Sequence, residues 1–345
     1  MSERRAARAA ERAVSHSTNR RRRRPFLVAL VATIGSLVGI AAVVAVTASI
    51  FIGGLARSFD AGTTTITDAF PAGPRPEGTA GAQNILLIGS DSRVGLDPDG
   101  DRAVGGRSDT LMLLHVSADR RTVHLMSIMR DSWVDVPGHG TAKINAAYSW
   151  GGVPLVVRTV EQLLDSRIDH VAEIDFAGFE GMTDALGGVT VRSPQAFEAR
   201  GHSFTAGPNH LDGDAALTFV RERYAFADAD HTRVRNQQAF MRGVVDGLLS
   251  KGTITNPGRI QDFVAATSEY LSVDAGLDFR TLVDLGWSLR GVRSSDLVTF
   301  TMPTAGGGTS PDGQSYVAVD SLAVQSLSQA LRSDDVATWL EATPQ

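Results

Sequence analysis

The sequence predicts an α/β domain that follows one membrane-spanning segment. Over residues 83–345, short apolar runs rich in β-forming residues alternate with longer runs of helical periodicity, which is the pattern of an α/β fold. No change of composition and no internal repeat divides this region. Ahead of it, the stretch from Pro25 to Ala56 carries no charged residue and exceeds the roughly 20 residues that a helix needs to cross a bilayer.

The basic N-terminus predicts the orientation of that segment. The consecutive arginines Arg20–Arg24 directly precede it. Because basic residues stay on the cytoplasmic side, we expect residues 1–24 to be a cytoplasmic tail, residues 25–56 a transmembrane signal anchor, and the rest of the chain to be extracytoplasmic. A cleaved signal peptide is an alternative, but its apolar region is about 7–15 residues long. A nucleic-acid-binding arm is another, and the adjacent apolar stretch favours a topology signal instead.

Composition limits the chemistry of the chain. The hydrophobic share of 43% is sufficient for a sizeable core, and the formal net charge is -5. The chain contains no cysteine, which excludes disulfides and thiolate chemistry. Residues 57–82 are rich in Thr, Gly and Pro and are predicted to be a linker without a core of its own.

The domain is predicted to contain strands and helices throughout. Strands are predicted at 83–88, 111–116, 123–128, 172–175, 189–191, 297–302 and 316–319. Helices are predicted at 153–164, 176–186, 233–250, 258–271, 278–290 and 321–331, with a helical turn or two in 211–219. Residues 137–152 are predicted to form a loop punctuated by glycines.

Charged residues lie at or next to the ends of the first three predicted strands. Polar residues just past a buried strand are favoured site positions in α/β sheets. Two carboxylates among several guanidinium groups suit a magnesium–diphosphate group, although a surface ion pair or a helix cap is the alternative for each carboxylate. The residues are Asp91 and Arg93 after the first strand, Arg107 and Asp109 before the second, and Arg130 and Asp131 after the third.

The segment 221–238 contains a second group of arginines. Arg233 and Gln237 are four apart on a predicted helix and therefore share a face. Arg221 and Arg223 are two apart and point the same way if their segment is extended. Such a set of side chains suits an anion with several oxygens, such as a phosphate or pyrophosphate. A solvated basic surface is the alternative.

Other catalytic motifs are absent from the sequence. Ser90 and Ser92 do not lie in a Gly-x-Ser-x-Gly elbow, the histidines have no zinc-like spacing, and no Walker A or Gly-x-Gly-x-x-Gly run occurs. His115 and His124 lie within predicted strands, where we expect packed or paired side chains.

Several of these segments together resemble the LytR–CpsA–Psr family of bacterial cell-envelope proteins. They are NILLIGSDSR, GRSDTLMLLHV, SIMRDSWVDVPGHGTAKINAAYSWGG, IDFAGFEGMTDALGGV, FVRER and DADHTRVRNQQAF. The resemblance covers residues 83–250 with high specificity and continues more loosely to the C-terminus. It implies a central mixed β-sheet flanked by helices, with a long apolar pocket for a lipid.

The resemblance also implies an activity. Members are phosphotransferases of the cell membrane that move a glycopolymer from a polyprenyl-pyrophosphate carrier onto peptidoglycan and leave a phosphodiester link. The polymer is wall teichoic acid, capsule, arabinogalactan or another polysaccharide. The implied partners are the polyprenyl-pyrophosphate-linked glycan, peptidoglycan and membrane lipid, with no nucleic acid.

Residue roles follow from the same resemblance. Asp91 and Asp109 are expected to bind Mg²⁺. The catalytic set is expected to be Asp91, Arg130, Asp131 and Arg233, with Asp91 or Asp131 taking the proton of the attacking hydroxyl. The pyrophosphate is expected to contact Arg107, Arg130, Lys143, Arg221, Arg223, Arg233 and Gln237.

The sequence departs from the family pattern at two positions and leaves rival functions open. Met129 replaces a usual proline before Arg-Asp, and Asn236 replaces a usual basic residue before Gln-Gln, which removes one charge near the anion. A pyrophosphatase acting on the same lipid is one rival, and a non-catalytic module that binds lipid-linked glycans is another. A transcriptional regulator ranks last, because no helix-turn-helix signal accompanies the basic tail.

Overall fold

The computed structural model describes residues 43, 46–90, 108–226 and 230–343. The chain divides into two compact units, residues 1–55 and 56–345. In the first unit, residues 46–55 are helical. None of the helices in the described ranges combines the length and the apolar character that a bilayer crossing requires. Most of the predicted anchor 25–56, and the site residues Asp91 and Arg107, lie outside the described residues.

The second unit contains strands and helices along its whole length. Its strands are β1 Thr64–Ile66, β2 Gln83–Ser90, β3 Ser108–Val116, β4 Val123–Ile128, β5 Ser132–Val136, β6 Gly140–Lys143, β7 His170–Asp175, β8 Val189–Ser193, β9 Phe197–Ala199, β10 His202–Phe204, β11 Gly207–Leu211, β12 Leu271–Asp274, β13 Leu297–Thr301, β14 Thr304–Thr309 and β15 Ser315–Val319. Its helices are α1 56–62, α2 Ala146–Leu164, α3 Phe176–Ala185, α4 Gly213–Arg221, α5 Asp230–Leu249, α6 Lys251–Ile254, α7 Pro257–Ser268, α8 Phe279–Ser288, α9 Ser321–Ser333 and α10 Val336–Ala342.

A seven-stranded mixed sheet forms the centre of this unit. Its strand order is β1-β12-β7-β2-β3-β4-β13. The pairs β1–β12, β2–β7 and β4–β13 are parallel, whereas β12–β7, β2–β3 and β3–β4 are antiparallel. Four further strands form a second sheet in the order β14-β15-β5-β6. The mixed central sheet confirms the architecture that the family resemblance implied.

Helices cover both faces of the central sheet, because its middle strands are apolar at nearly every position. On one face, alternate residues such as Leu86 and Leu113 pack with α2, α9 and α10. On the other face, residues such as Met112 and Leu125 pack against side chains of α5 and α8. A separate apolar cluster joins β8–β11 to α4 and α5 around Phe219.

Residues 57–82 differ from the predicted linker. Phe59, Ile66 and Ala69 are buried, and β1 adds a parallel edge strand to the central sheet. Arg75 Nη2 lies 2.7 Å from Glu161 Oε1, which attaches the following turn to α2. Composition did not indicate this structure, because β1 has only three residues and only one of them is buried.

The loop predicted over 137–152 is also wrong in part. Residues of β6 pair antiparallel with β5, across a turn in which Gly138 has a φ of 81°. The helix α2 begins at Ala146, seven residues before the predicted start. Gly152 has non-helical φ and ψ angles of 61° and -156°, so α2 consists of two segments, and the predicted helix corresponds to the second one. Pro154, two residues on, contributes to this break because it has no amide hydrogen.

Candidate active site

The site lies at the edge of the central sheet where β2 and β4 end and β3 begins. Because β3 runs antiparallel to both neighbours, its first residues lie beside the last residues of β2 and β4. A cavity of about 380 Å³ opens at this edge. Its polar lining comes mainly from Asp109, Thr110, Arg130, Asp175, Arg200, Arg221, Arg223, Arg233 and Gln237.

Asp109 and Arg130 meet at the mouth of the cavity. Nη1 of Arg130 donates to Oδ1 of Asp109 at 2.6 Å. Nε of Arg130 lies 3.6 Å from Asp131 Oδ2, and Lys143 Nζ lies 3.4 Å from Asp131 Oδ1. Asp109 therefore orients the guanidinium group through a hydrogen bond, whereas Asp131 contributes only its nearby charge, and Nε of Arg130 has no hydrogen-bond partner among the described residues. Asp131 and Lys143 lie beside Arg130 and are not part of the cavity lining.

Arg233 brings a second guanidinium group to the same cavity from α5. Its side chain is buried, and Nη2 lies 3.2 Å from Asp230 Oδ1, one helical turn earlier. Burial lowers the pKa of Arg233, and the nearby charge of Arg130 lowers it further, whereas Asp230, Asp109 and Asp131 raise it. An arginine stays protonated in spite of such a shift. Two guanidinium groups that line the same cavity favour an anion bound by both.

Nε of Arg233 is a further sign of an anion site. It is buried and has no hydrogen-bond partner among the residues that the structure describes. Buried donors are normally satisfied, and an unsatisfied one costs about 1–3 kcal/mol. A bound anion that reaches this atom would remove that cost.

Arg221 and Arg223 line the cavity in a geometry different from the predicted extended pair. Arg221 is the last residue of α4, and its guanidinium carbon lies 4.2 Å from the ring centre of Phe176. Arg223 follows in irregular structure, and its Nη2 donates to the hydroxyl of Tyr224 at 2.7 Å. This hydrogen bond raises the pKa of Arg223. Both charges reach the cavity because α4 ends at its rim.

The side chains of the consecutive residues Asn236, Gln237 and Gln238 contact different parts of the protein. Nε2 of Gln237 donates to Thr110 Oγ1 at 3.0 Å, so this side chain lines the cavity as predicted. Nδ2 of Asn236 donates to the carbonyl of Phe219 at 3.1 Å. Asn236 is therefore buried against α4 and is absent from the cavity lining, contrary to the expectation that it removes a charge near the anion.

Away from its mouth the cavity is apolar. The rings of Phe179 and Phe240 stack with centroids 4.3 Å apart and form part of the wall. Leu217 from α4 and Ala172 from β7 line other parts of it. A charged mouth on an apolar interior suits an amphiphile with an anionic head and a hydrocarbon tail.

The structure brings most of the predicted residues together. Of the described ones, Asp109, Arg130, Arg221, Arg223, Arg233 and Gln237 line one cavity, and Asp131 and Lys143 adjoin it. Asp175, Asp230, Thr110 and Arg200 were missed. Asp230 was predictable from the sequence, because it lies three residues before Arg233 on the same helix, a spacing that places the two side chains on one face. Arg200 was not, because it reaches the cavity from a hairpin turn between β9 and β10. Within the described ranges, no group of three or more acidic or histidine side chains is placed to hold a metal ion.

Comparisons with known sequences identify the family of this chain. The model of the LytR_cpsA_psr family matches residues 63–333. The chain is 32% identical over 252 residues to the polyisoprenyl-teichoic acid–peptidoglycan teichoic acid transferase TagU of Enterococcus faecalis, an alignment that covers 72% of this chain and 78% of that protein. It is 38% identical over 247 residues to the probable cell wall biosynthesis protein LcpB of Corynebacterium glutamicum, covering 69% of this chain and 58% of LcpB.

Solved structures share the fold. The crystal structure of B. subtilis TagV superposes with a TM-score of 0.62 at 25% identity, over 76% of this chain and 98% of TagV. The structure of TagT bound to LI-WTA superposes with a TM-score of 0.58 at 24% identity, over 78% of this chain and 99% of TagT, which shows a common fold. The family match spans most of the second unit, and this chain is therefore a member of the LytR–CpsA–Psr family.

Proposed function

We propose that this chain is a phosphotransferase that moves a glycopolymer from a polyprenyl-pyrophosphate carrier onto peptidoglycan. The observation that carries the proposal is that Arg130 and Arg233 line one cavity whose remaining lining is largely apolar. In a polyprenyl-pyrophosphate glycan, the negative diphosphate complements the arginines at the mouth, and the polyprenyl hydrocarbon complements the apolar interior. The E. faecalis relative, named as a teichoic acid transferase to peptidoglycan, supports the same reaction.

The reaction breaks one phosphoanhydride bond and forms one phosphoester bond. A hydroxyl oxygen of the acceptor attacks the phosphorus that carries the glycan, and the bridging oxygen leaves with polyprenyl phosphate. Arg130 and Arg233 stabilise the charge that develops on the phosphoryl oxygens and on the leaving group. The five described arginines that line the cavity also hold the diphosphate in line for attack.

The proton of the acceptor hydroxyl passes to a carboxylate. Asp131 is suitable because Arg130 and Lys143 hold it in place beside the cavity mouth. Asp91, the other candidate from the sequence, lies outside the described residues. A base that removes this proton as the oxygen attacks contributes typically 10²–10⁴-fold.

We propose that a magnesium ion binds together with the diphosphate. Asp109 presents a carboxylate to the cavity, and magnesium is usually bound through one or two carboxylates together with phosphate oxygens. We propose Asp109 and Asp91 as its protein ligands. When bound, the ion neutralises part of the diphosphate charge. Asp109 has the second task of orienting Arg130, to which it is already paired.

We further propose that the chain is a single-pass protein of the cell membrane with its catalytic unit outside the cell. The support is the uncharged stretch from Pro25 to Ala56 behind a run of arginines. This placement puts the catalytic unit on the side of the membrane where the proposed acceptor lies.

A reconstituted assay tests the transferase proposal. The full-length protein in lipid nanodiscs is incubated with Mg²⁺ and a polyprenyl-pyrophosphate glycan, with and without peptidoglycan. We expect a phosphodiester-linked product only when peptidoglycan is present. Release of free glycan phosphate at the same rate without peptidoglycan would identify a pyrophosphatase instead. Binding of the donor without turnover in either condition would identify a non-catalytic module.

A further inference from the structure

A second cleft, separate from the cavity at Arg130, lies at the four-stranded sheet. Its volume is about 340 Å³. It opens where β5 and β15 separate: these strands are paired in parallel only at two positions, Ser132 with Val317 and Trp133 with Ala318. The side chains relevant here are Trp133, Asp135, Gln162, Val319, Ser321 and Gln325.

The cleft has an aromatic surface and a polar rim. The rings of Trp133 and Tyr316 stack with centroids 4.7 Å apart and an interplanar angle of 24°. At the rim, Nε2 of Gln162 donates to Oδ2 of Asp135 at 2.7 Å. Ser321 and Gln325 are exposed at the start of α9. Among the residues that line the cleft, Trp133 supplies an aromatic ring backed by Tyr316, and Asp135, Gln162, Ser321 and Gln325 supply hydrogen-bond donors and acceptors.

This combination is complementary to a sugar chain. A pyranose ring has a flat face of C–H groups that packs on an aromatic ring, whose face is electron-rich. Its hydroxyl and acetamido groups both donate and accept hydrogen bonds, as do the hydroxyl and amide groups at the rim. Asp135 is the one charged side chain among the described residues that line the cleft, so a phosphate-rich polymer is disfavoured and a neutral glycan is favoured.

The position of the cleft connects it to the active site. Strand β5 begins directly after Asp131, and Trp133 lies opposite Lys143 in the β5–β6 ladder. The four steps from Asp131 to Asp135 advance about 13 Å along an extended strand, the length of a short oligosaccharide. A glycan bound on Trp133 therefore leads along β5 toward the carboxylate that receives the acceptor's proton.

We propose that this cleft binds the acceptor, as a site for the neutral glycan strand of peptidoglycan. The inference rests on the proposed function for the identity of the acceptor, and it adds the location at which that acceptor is held. Trp133 supplies the stacking platform, and Asp135 and Gln162 bind sugar hydroxyl groups. The cleft thereby positions the attacking hydroxyl relative to a donor held in the cavity.

Direct binding tests the cleft independently of catalysis. The probe is a β-1,4-linked tetrasaccharide of N-acetylglucosamine, titrated into the full-length protein in nanodiscs and followed by saturation-transfer NMR and calorimetry. We expect saturable binding by the wild-type protein, and about tenfold weaker binding after Trp133→Ala, the loss expected for one aromatic contact. Trp287→Ala is the matched control, because Trp287 is 71% exposed on α8 and should leave binding unchanged.

Further variants separate a binding role from a folding role. Trp133→Phe retains a ring and should recover most of the affinity. Asp135→Asn and Gln162→Ala alter only the rim, and each should weaken binding of the tetrasaccharide. They provide the test if Trp133→Ala does not fold. Equal binding by wild-type protein, Asp135→Asn and Gln162→Ala, or no binding by the wild-type protein, would overturn the proposal.

Kinetics distinguish failure of the cleft from failure of the proposed function. With Trp133→Ala, we expect the KM for peptidoglycan to rise while the KM for the lipid donor stays constant. A wild-type protein that binds the tetrasaccharide at Trp133 but transfers nothing would refute the transferase and leave the cleft standing. Normal transfer with an unchanged acceptor KM in the variant would refute the cleft and leave the transferase standing.

Discussion

Arg130 and Asp109 form an ion pair between the end of one strand and the start of its antiparallel neighbour. Nη1 and Oδ1 are 2.6 Å apart although 21 positions separate the residues in the chain. The pair keeps the guanidinium group at the cavity mouth in the absence of substrate. Preorganisation of this kind avoids reorganisation during the reaction.

Replacing Arg130 should stop transfer without unfolding the protein. Arg130→Ala removes a donor directed at the developing phosphoryl charge, and we expect kcat to fall by at least about 10²-fold. Arg130→Lys retains the charge but loses the two-pronged geometry, so we expect an intermediate rate. The measurement is product formation in nanodiscs, with thermal unfolding in parallel. Arg280→Ala changes a highly exposed arginine on α8 and is the control. Equal rates for Arg130→Ala and this control would refute the assigned role.

Filling the apolar interior should weaken donor binding. Leu217 lines the cavity, and Leu217→Trp places a larger ring where we expect the polyprenyl chain. The KM for a long-chain donor should rise, whereas a donor with a short chain should be affected less. Leu322→Trp is the matched control, because Leu322 is 80% exposed on α9. If both chain lengths respond equally to Leu217→Trp, the cavity is not the site of the lipid tail.

The stability of the fold should fall in mild acid because of His124. Both ring nitrogens are buried without a hydrogen-bond partner among the described residues, and burial lowers the pKa of His124 to about 4. The unfolded chain therefore binds a proton near its ordinary pKa of 6.5, before the folded chain does. The stabilising contribution is present above that pH and decreases as the pH falls from 6.5 to about 4, by up to roughly 3 kcal/mol.

Unfolding measured by denaturant titration between pH 7.5 and pH 4.5 checks this contribution. His115 adds to it, since burial also lowers its pKa, although its bond to Asp334 acts in the opposite direction. His124→Leu should make the free energy of unfolding depend less on pH. His231→Gln alters an exposed histidine and should leave the slope unchanged. An identical slope in His124→Leu and the wild type would contradict the assignment.

Gln238 should matter for stability rather than for the reaction. Its Nε2 bonds to Ser127 Oγ at 3.1 Å and to the carbonyl of Phe300 at 3.0 Å, which connects α5 to β4 and β13. Gln238→Leu leaves these buried groups unsatisfied and should lower the free energy of unfolding by about 1–3 kcal/mol. Thermal unfolding measures the loss. Gln329→Leu, at an exposed position on α9, should stay within about 0.5 kcal/mol. Unchanged stability in Gln238→Leu would show that the network contributes nothing.

The central strands and most helices were predictable, because their signals are local. Strand β4 was predicted at its observed bounds, and α9 within two residues at its end. Elements with little sequence periodicity were not predictable in the same way. Strand β1 pairs with β12, about 200 residues further along the chain, and three residues with one buried side chain carry almost no periodicity. In the sequence, nothing except the glycine itself marked the break at Gly152. The predicted helix therefore included only the part of α2 that follows this break.

By itself, the sequence predicted which residues would gather at one site: the family motifs pointed to Asp109, Arg130, Arg233 and Gln237, and all four line the same cavity. Only the tertiary structure decided what each one faces. It directed Gln237 into the cavity while its neighbours Asn236 and Gln238 pack against α4 and the sheet. It also joined Trp133 to Tyr316 beside the active site. The physical reason is that residue type follows from local sequence, whereas the partner of a side chain depends on strands and helices that are distant in the chain.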